Sequence, residues 1–403
     1  MLDQRINAKT FLKMTSLKDI IRYKLGRDKA EYLESLQSAI DDISNKCHNF
    51  DDVLCYEIKG KKVYKLDTVA SLYYARHINR LLKRLYKVKQ SNRDDITQQT
   101  NVLLQETSPF YVIKGDIANF YESIDRVKLI SKLKSDRLLD LRHVSVIEKI
   151  FSCAHGSVGV PRGISFSSTL SELYVRTFDD AIRGMTGVYF YARYVDDFII
   201  FTHDDSVNIN SIGDELSKLG LELNRNKTHK YSSNLLYNGK QCITFLGYMH
   251  FIDDSLNAVI KIANKRIRKI KTRIVLSFLD FFKTKDFTLL ELRVRFLTGN
   301  YIINTSQDKQ KKLLAGFYYN NAAITEFSQI SDLDRFLMRI VKSKSGFIPK
   351  GISVKLMRKL NGISKECFFY KGFNSRSVHE IDVEKFKAIK ACWEREYIYE
   401  KKK

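Results

Sequence analysis

The stretch YARYVDDFIIF, Tyr191–Phe201, limits what this chain can fold into more than any other. Two adjacent carboxylates, Asp196 and Asp197, interrupt a largely apolar and aromatic run. Ionised carboxylates are costly to bury without a partner. The flanks predict two core strands meeting at a tight turn that holds both acids rigidly at the rim of a core. Asp is also common in ordinary exposed hairpin turns, so the pair alone does not define a site.

A second acid has similar surroundings. In KGDIANFYESID, Asp116 ends the strand-like run FYVIK and is followed by an apolar residue and two aromatics, Phe120 and Tyr121. Taken alone, Asp116 also reads as a helix N-cap. Together, carboxylates converging from neighbouring strands make a hard oxygen site for Mg²⁺. Two ions held there would activate a 3′-hydroxyl and stabilise a leaving pyrophosphate. The charge balance fits such a substrate: 69 Lys and Arg stand against 46 Asp and Glu, a formal net charge of +23. That excess predicts a polyanionic partner, nucleic acid or an anionic membrane surface.

With 403 residues, 44% of them hydrophobic, the chain has material for two or three globular domains. No apolar run reaches the length of a membrane span, and MLDQRINAKTFLK lacks the apolar core of a signal peptide, so a cytoplasmic protein is expected. The six cysteines form no CxxC pair, and Cys47-His48 reads as incidental. Helices are expected over 17–46 and 66–90, a strand over 110–117, and a short helix from about 122. One amphipathic helix should follow Pro161, then the two strands around Asp196, a helix from 211, a strand or hairpin over 241–251, and charged helix from about 260. This is an α+β core, a mixed antiparallel sheet with helices packed behind it.

The motifs resemble those of the reverse transcriptases. Asp116 in DIANFYESI matches that family's motif A, and Tyr194-Val195-Asp196-Asp197 its Tyr-x-Asp-Asp turn, motif C. GVPRGISFSSTLSELYV (159–175) matches motif B, LNRNKT motif D with Lys227 at its lysine, and TFLGY (244–248) motif E, the primer grip. The resemblance covers roughly residues 70–300. It implies a right-hand polymerase with fingers, an antiparallel palm and an α-helical thumb and C-terminal region. The expected segments are 1–115 for an N-terminal helical region and fingers, 116–255 for the palm with a finger insertion around 130–160, 256–330 for the thumb, and 331–403 for a basic helical extension. It further implies two Mg²⁺ ions, with Mn²⁺ as a substitute, on Asp116, Asp196, a weaker or outer Asp197 and the Ile117 carbonyl.

Other roles follow from the same resemblance. Tyr121 would pack under the sugar of the incoming deoxynucleotide and exclude a 2′-hydroxyl; otherwise it is a core tyrosine. Pro161-Arg162-Gly163 departs from the commoner Pro-Gln-Gly, leaving Arg162 to contact a phosphate or template base and Gly163 to let the backbone approach the nucleotide. Lys227 would be the general acid toward pyrophosphate, or else a solvated lysine. Arg76, Arg93 and Lys114 are candidates for triphosphate contacts. Phe245, Leu246, Gly247 and Tyr248 would contact the primer. In IKIANKRIRKIKTRIVLSFLDFF (260–282), Ile267, Ile270 and Ile274 share a face while Lys265, Arg268 and Lys269 crowd the others, as in a thumb helix tracking a duplex; a calmodulin-target or membrane-surface helix has the same pattern.

DIANFYESID and SFSSTLSELYV look most like the defence-associated reverse transcriptases of bacteria, the unknown and abortive-infection groups, with the short polymerase of the type 3 two-polymerase system as a specific candidate. Retron enzymes stand second. The partners implied are an RNA template in the form of a dedicated non-coding RNA, dNTPs, a DNA product, and a second polymerase subunit or another copy of the chain, with no membrane. Template-independent, protein-primed synthesis and a catalytically inactive RNA-binding scaffold are the competing readings.

Overall fold

The computed structural model describes residues 2–16, 19–20, 23–45, 48–58, 60–303, 313–342 and 354–394. Cys47, residues 17, 18, 21, 22 and 46 of the first expected helix, and 343–353 and 395–403 of the C-terminal extension lie outside them. The chain forms two compact units, residues 1–96 with 106–235, and 97–105 with 236–403.

In the first unit, β1 (Val53–Ile58) and β2 (Lys61–Leu66) form an antiparallel hairpin. A four-stranded antiparallel sheet is built from β3 (Tyr111–Asp116), β4 (Val188–Tyr194), β5 (Asp197–Thr202) and β6 (His229–Ser232), in the order β4-β5-β3-β6. The central β5 buries Phe198, Ile199, Ile200 and Phe201 completely, as a continuous apolar run does when both faces of a strand are covered. Gly115 faces Phe198 across the β3–β5 pair, where any Cβ would run into the Phe198 ring.

The helix Val69–Leu85 starts where the Thr68 hydroxyl accepts from Ser71 N and buries Tyr73, Tyr74, Ile78, Leu81 and Leu82. Of the helix expected over 17–46, Lys29–Ser44 is helical, capped by the Asp28 carboxylate. The single helix expected after Pro161 is two, Ser167–Tyr174 and Arg176–Arg183, interrupted at Val175. One core runs from Phe50 to Leu221, drawing residues from both sides of 115/116.

In the second unit, β7 (Ile243–Phe245), β8 (Tyr248–Ile252) and β9 (Ala258–Ile262) form an antiparallel sheet. The helix expected from 260 begins at Asn264 and ends at Thr284. Residues 258–262 alternate buried and half-buried, the period of a strand. The helical C-terminal region also carries a small sheet of β10 (Asn300–Ile303), β11 (Leu313–Gly316) and β12 (Val378–Ile381), with β12 parallel to β10. One core joins Tyr248, Phe278, Val294, Leu337, Leu360 and Trp393, drawing residues from both 256–330 and 331–403. No helix among the described residues is long and apolar enough to cross a membrane.

Candidate active site

The strand pairing gathers the acids. Asp116, the last residue of β3, is the cross-strand partner of Asp197, the first of β5. The Ile117 N–H donates to the Asp196 carbonyl at 2.9 Å, which makes Asp116–Asp197 a non-hydrogen-bonded pair, the kind whose side chains approach most closely. Beyond β3 the chain pairs with 222–224: Ala118 N donates to Glu222 O and Asn224 N to Asp116 O. The Ile117 N–H and carbonyl therefore face the Asp196 side.

The turn between β4 and β5 has two loop residues, Val195 and Asp196, with Val195 at φ +61°. Positive φ at the first loop position favours Gly, so a β-branched residue there is strained by about 1–3 kcal/mol. Both loop carbonyls are held. Ile117 N–H binds that of Asp196, and the Arg193 guanidinium donates to that of Val195 at 2.8 Å.

Like charges directly opposite one another are destabilising. Burial, with Asp196 and Asp116 adding to it, pushes the Asp197 carboxyl up to about 6. Asp116 is buried, and Lys227 Nζ stands 3.1 and 3.0 Å from its two oxygens. That bond holds the Lys227 ammonium above its usual range. Lys227 sits in a 3₁₀ turn, Arg225–Lys227, whose last carbonyl accepts from Lys114 Nζ at 3.2 Å. Among the described residues, no group of three or more His, Cys, Asp or Glu side chains is gathered so as to hold a metal ion. The Asp116 carboxylate is turned to Lys227 instead. The donor types nevertheless suit a hard cation: they are carboxylate oxygens on adjacent strand ends, and that of Asp116 already takes up a positive group.

Tyr121 lies in the short helix Phe120–Ser123, half-buried, and burial raises its phenol. The Arg162 guanidinium covers its ring at 4.6 Å and forms a two-pronged ion pair with Glu122 at 2.7 and 2.9 Å. The Arg162 fork, expected on a phosphate or base, is thus engaged within the protein. Gly163, at φ +97°, lies against the Tyr64 carbonyl of β2, where a Cβ would clash, so its freedom also serves that close approach. Arg93 opens the helix Arg93–Leu103. Arg76, a candidate for triphosphate contact, is instead bound to Asp19 at 2.7 and 2.9 Å. An open cleft of about 730 Å³ is lined by Asn119, Ser217, Glu222, Asn224 and Arg225.

In the second unit, Leu246 (φ +46°) and Gly247 (φ +82°) form the two-residue turn between β7 and β8. Phe245 and Tyr248 flank it and are buried, while the two turn residues, Leu246 and Gly247, are half-buried. Lys265, Arg268 and Lys269 are exposed on the helix Asn264–Thr284, while Ile274 is buried and Ile267 and Ile270 pack against the core.

Sequence reasoning missed Arg193, Asp179 and Glu172. Arg193 is buried, held by Asp179 at 2.8 and 2.7 Å and by Glu172 at 2.7 Å; Tyr191 OH also donates to Asp179 at 2.6 Å. The signal was a lone cation at the inward parity of a core strand, two residues from Tyr191.

Residues 59–250, just under half of the chain, match the family "Reverse transcriptase (RNA-dependent DNA polymerase)". No curated protein matches the chain. Among solved structures, it is similar to telomerase from Candida albicans in complex with a TWJ fragment of telomeric RNA (TM-score 0.35, 14% identity, 79% of this chain and 54% of that one). It is also similar to apo telomerase from Candida tropicalis (0.39, 14%, 85% and 64%) and to the RNA-dependent RNA polymerase of a human picobirnavirus (0.37, 11%, 81% and 64%). The chain thus spans between about half and two thirds of the length of these structures. The antiparallel sheet with its helices is of the right-hand polymerase class, and residues 59–250 carry the similarity to the reverse transcriptase family, whose members are nucleotidyltransferases.

Proposed function

We propose that the chain is an active RNA-directed DNA polymerase whose metal ligands are Asp116, Asp196, Asp197 and the Ile117 carbonyl. The observation that carries this reading is the pairing of Asp116 with Asp197 at adjacent strand ends, with Asp196 in the strained turn beside them. Two Mg²⁺ ions would supply Lewis acidity at the 3′-hydroxyl and at the leaving pyrophosphate. The protein holds the carboxylates rigidly through the sheet. Tyr121, its ring fixed under Arg162, excludes a 2′-hydroxyl from the sugar site. Lys227, whose ammonium is held at the Asp116 carboxylate, would be the proton donor to the leaving pyrophosphate. Lys114 and Arg93 face the triphosphate, while the 246–247 turn and Lys265, Arg268 and Lys269 bind the nucleic acid.

The finer assignment rests on DIANFYESID and SFSSTLSELYV. It is a cytoplasmic bacterial enzyme of antiphage defence, working with a dedicated non-coding RNA and with a second polymerase subunit or another copy of itself. Asp116→Ala, or Asp196→Ala with Asp197→Ala, is expected to abolish deoxynucleotide incorporation on an RNA template while the protein stays folded; wild-type incorporation by either overturns the reading. Sequencing the nucleic acid that copurifies with the wild-type chain tests the finer part. A defined RNA with its cDNA is expected, and a protein-linked DNA without template complementarity would point to protein priming.

A further inference from the structure

We infer that Arg193 is a positioning residue for the metal site. It pins the strained Val195 peptide, and through the motif-B helix it sets where Asp196 and Asp197 stand. This inference rests on the metal-site reading above and concerns a residue outside the proposed ligand set.

The geometry is specific. Each polar edge of the guanidinium has its own partner. Nε and Nη2 clasp the two oxygens of Asp179, Nη2 also reaches Glu172, and Nη1 points the other way, to the Val195 carbonyl. Glu172 lies in the helix Ser167–Tyr174 and Asp179 in Arg176–Arg183, so one planar cation joins two helices to the turn. Tyr191 OH donates to Asp179 and fixes it from the same strand face. The fork is rigid, so a shift of the helices moves the Val195 carbonyl with it. A β-branched residue at φ +61° has no intrinsic reason to stay there. Among the described residues two bonds hold the loop carbonyls, and only Arg193's comes from a side chain. A lysine at 193 keeps the charge, but one ammonium cannot span Asp179, Glu172 and the Val195 carbonyl together.

The test uses the full chain and Mn²⁺ as the probe, titrated by electron paramagnetic resonance in the absence of nucleotide, with thermal unfolding as the check on folding. Arg193→Lys is expected to weaken Mn²⁺ binding by about tenfold or more, the range seen when groups that orient metal ligands are removed. It should also lower kcat for nucleotide incorporation more than it raises KM. In a Val195→Gly background the turn is unstrained, so there Arg193→Lys should change Mn²⁺ affinity by no more than about twofold, a non-additivity expected only of coupled groups. If Arg193→Lys does not fold, the combination Arg193→Met, Asp179→Asn and Glu172→Gln removes the buried charges together and carries the same comparison. Unchanged Mn²⁺ affinity, or an equal loss in both backgrounds, overturns the inference. Asp116→Ala is the control. If it leaves Mn²⁺ binding and incorporation intact, the metal-site reading fails and this inference falls with it. If it abolishes both while Arg193→Lys does nothing, only the role of Arg193 fails.

Discussion

Asp197 is ionised at neutral pH only against burial and two neighbouring acids, which push its carboxyl up to about 6 from an ordinary 3.8. A raised carboxyl binds a proton in the folded state that the unfolded chain has already released. Between about pH 4 and pH 6 the folded state therefore holds more protons, and the stability this group contributes falls as pH rises. Above pH 6 the cost levels off at about 3 kcal/mol, from two pKa units at 1.36 kcal/mol each. Asp197→Asn should raise the melting temperature of the metal-free protein at pH 7.5, leave it nearly unchanged at pH 4, and abolish incorporation. Equal effects at both pH values would mean that Asp197 is not strained by its neighbours. Tyr121 calls for the opposite measurement, since its ring is a wall and not a charge. Tyr121→Ala should increase ribonucleotide use relative to deoxynucleotide use in primer extension, and Tyr121→Phe should not. Unchanged discrimination by Tyr121→Ala would make it a core tyrosine that supports Arg162 and nothing more.

The helix Asn264–Thr284 separates its apolar and cationic residues by face: Ile274, Phe278 and Phe281 are buried, while Lys265, Arg268 and Lys269 are exposed near its start. If these three cations lie along a phosphate backbone, changing all three to Gln should weaken binding to an RNA–DNA duplex. It should also flatten the salt dependence by roughly 0.9 in slope for each phosphate that is no longer neutralised. Mn²⁺ affinity should stay unchanged. Filter binding across a salt series decides this, and an unaltered slope would take the helix out of the nucleic-acid path. This helix also shows how far the sequence could be read. Its isoleucines at spacings of three and four announced the helix, but Ile260 and Ile262 belong to a strand, and an alternation of only five residues is easily absorbed into a neighbouring helical pattern. The β4–β5 pair was legible because its acids broke a long apolar run. The β10–β12 pair was not, because two four-residue strands 75 residues apart leave no local trace of their pairing. At the site, the acids and Tyr121 could be found from motif and spacing. The Lys227–Asp116 bond, the engagement of Arg162 by Glu122 and the Arg193 fork could not, since each depends on which side chains the fold brings within 3 Å or so.

The two units have separate cores, and each buries imidazoles that stay neutral. In the first, His77 and His143 both donate from Nε2 to the Gln4 carbonyl, at 3.0 and 2.9 Å, and burial lowers both, His143 to about 4. In the second, His250 is fully buried on β8, neither ring nitrogen has a partner among the described residues, and burial lowers it to about 4. A depressed histidine gives stability that is complete above the unfolded value of 6.5 and disappears as pH falls toward 4, because the unfolded chain takes up protons the folded one refuses. For His250 that loss approaches about 3 kcal/mol. The chain has a single tryptophan, Trp393, buried in the second core, where its indole N–H donates to the Arg273 carbonyl and to Ser277 Oγ at 3.1 Å each. Its fluorescence therefore reports the second unit alone, while far-ultraviolet circular dichroism reports both. His250→Leu removes the titrating group and two unsatisfied nitrogens at similar volume. It should move the acid midpoint of Trp393 fluorescence to lower pH by roughly half a unit or more and raise the unit's stability at pH 7. An unmoved fluorescence midpoint would show that protonation of His250 does not drive the acid unfolding of this unit.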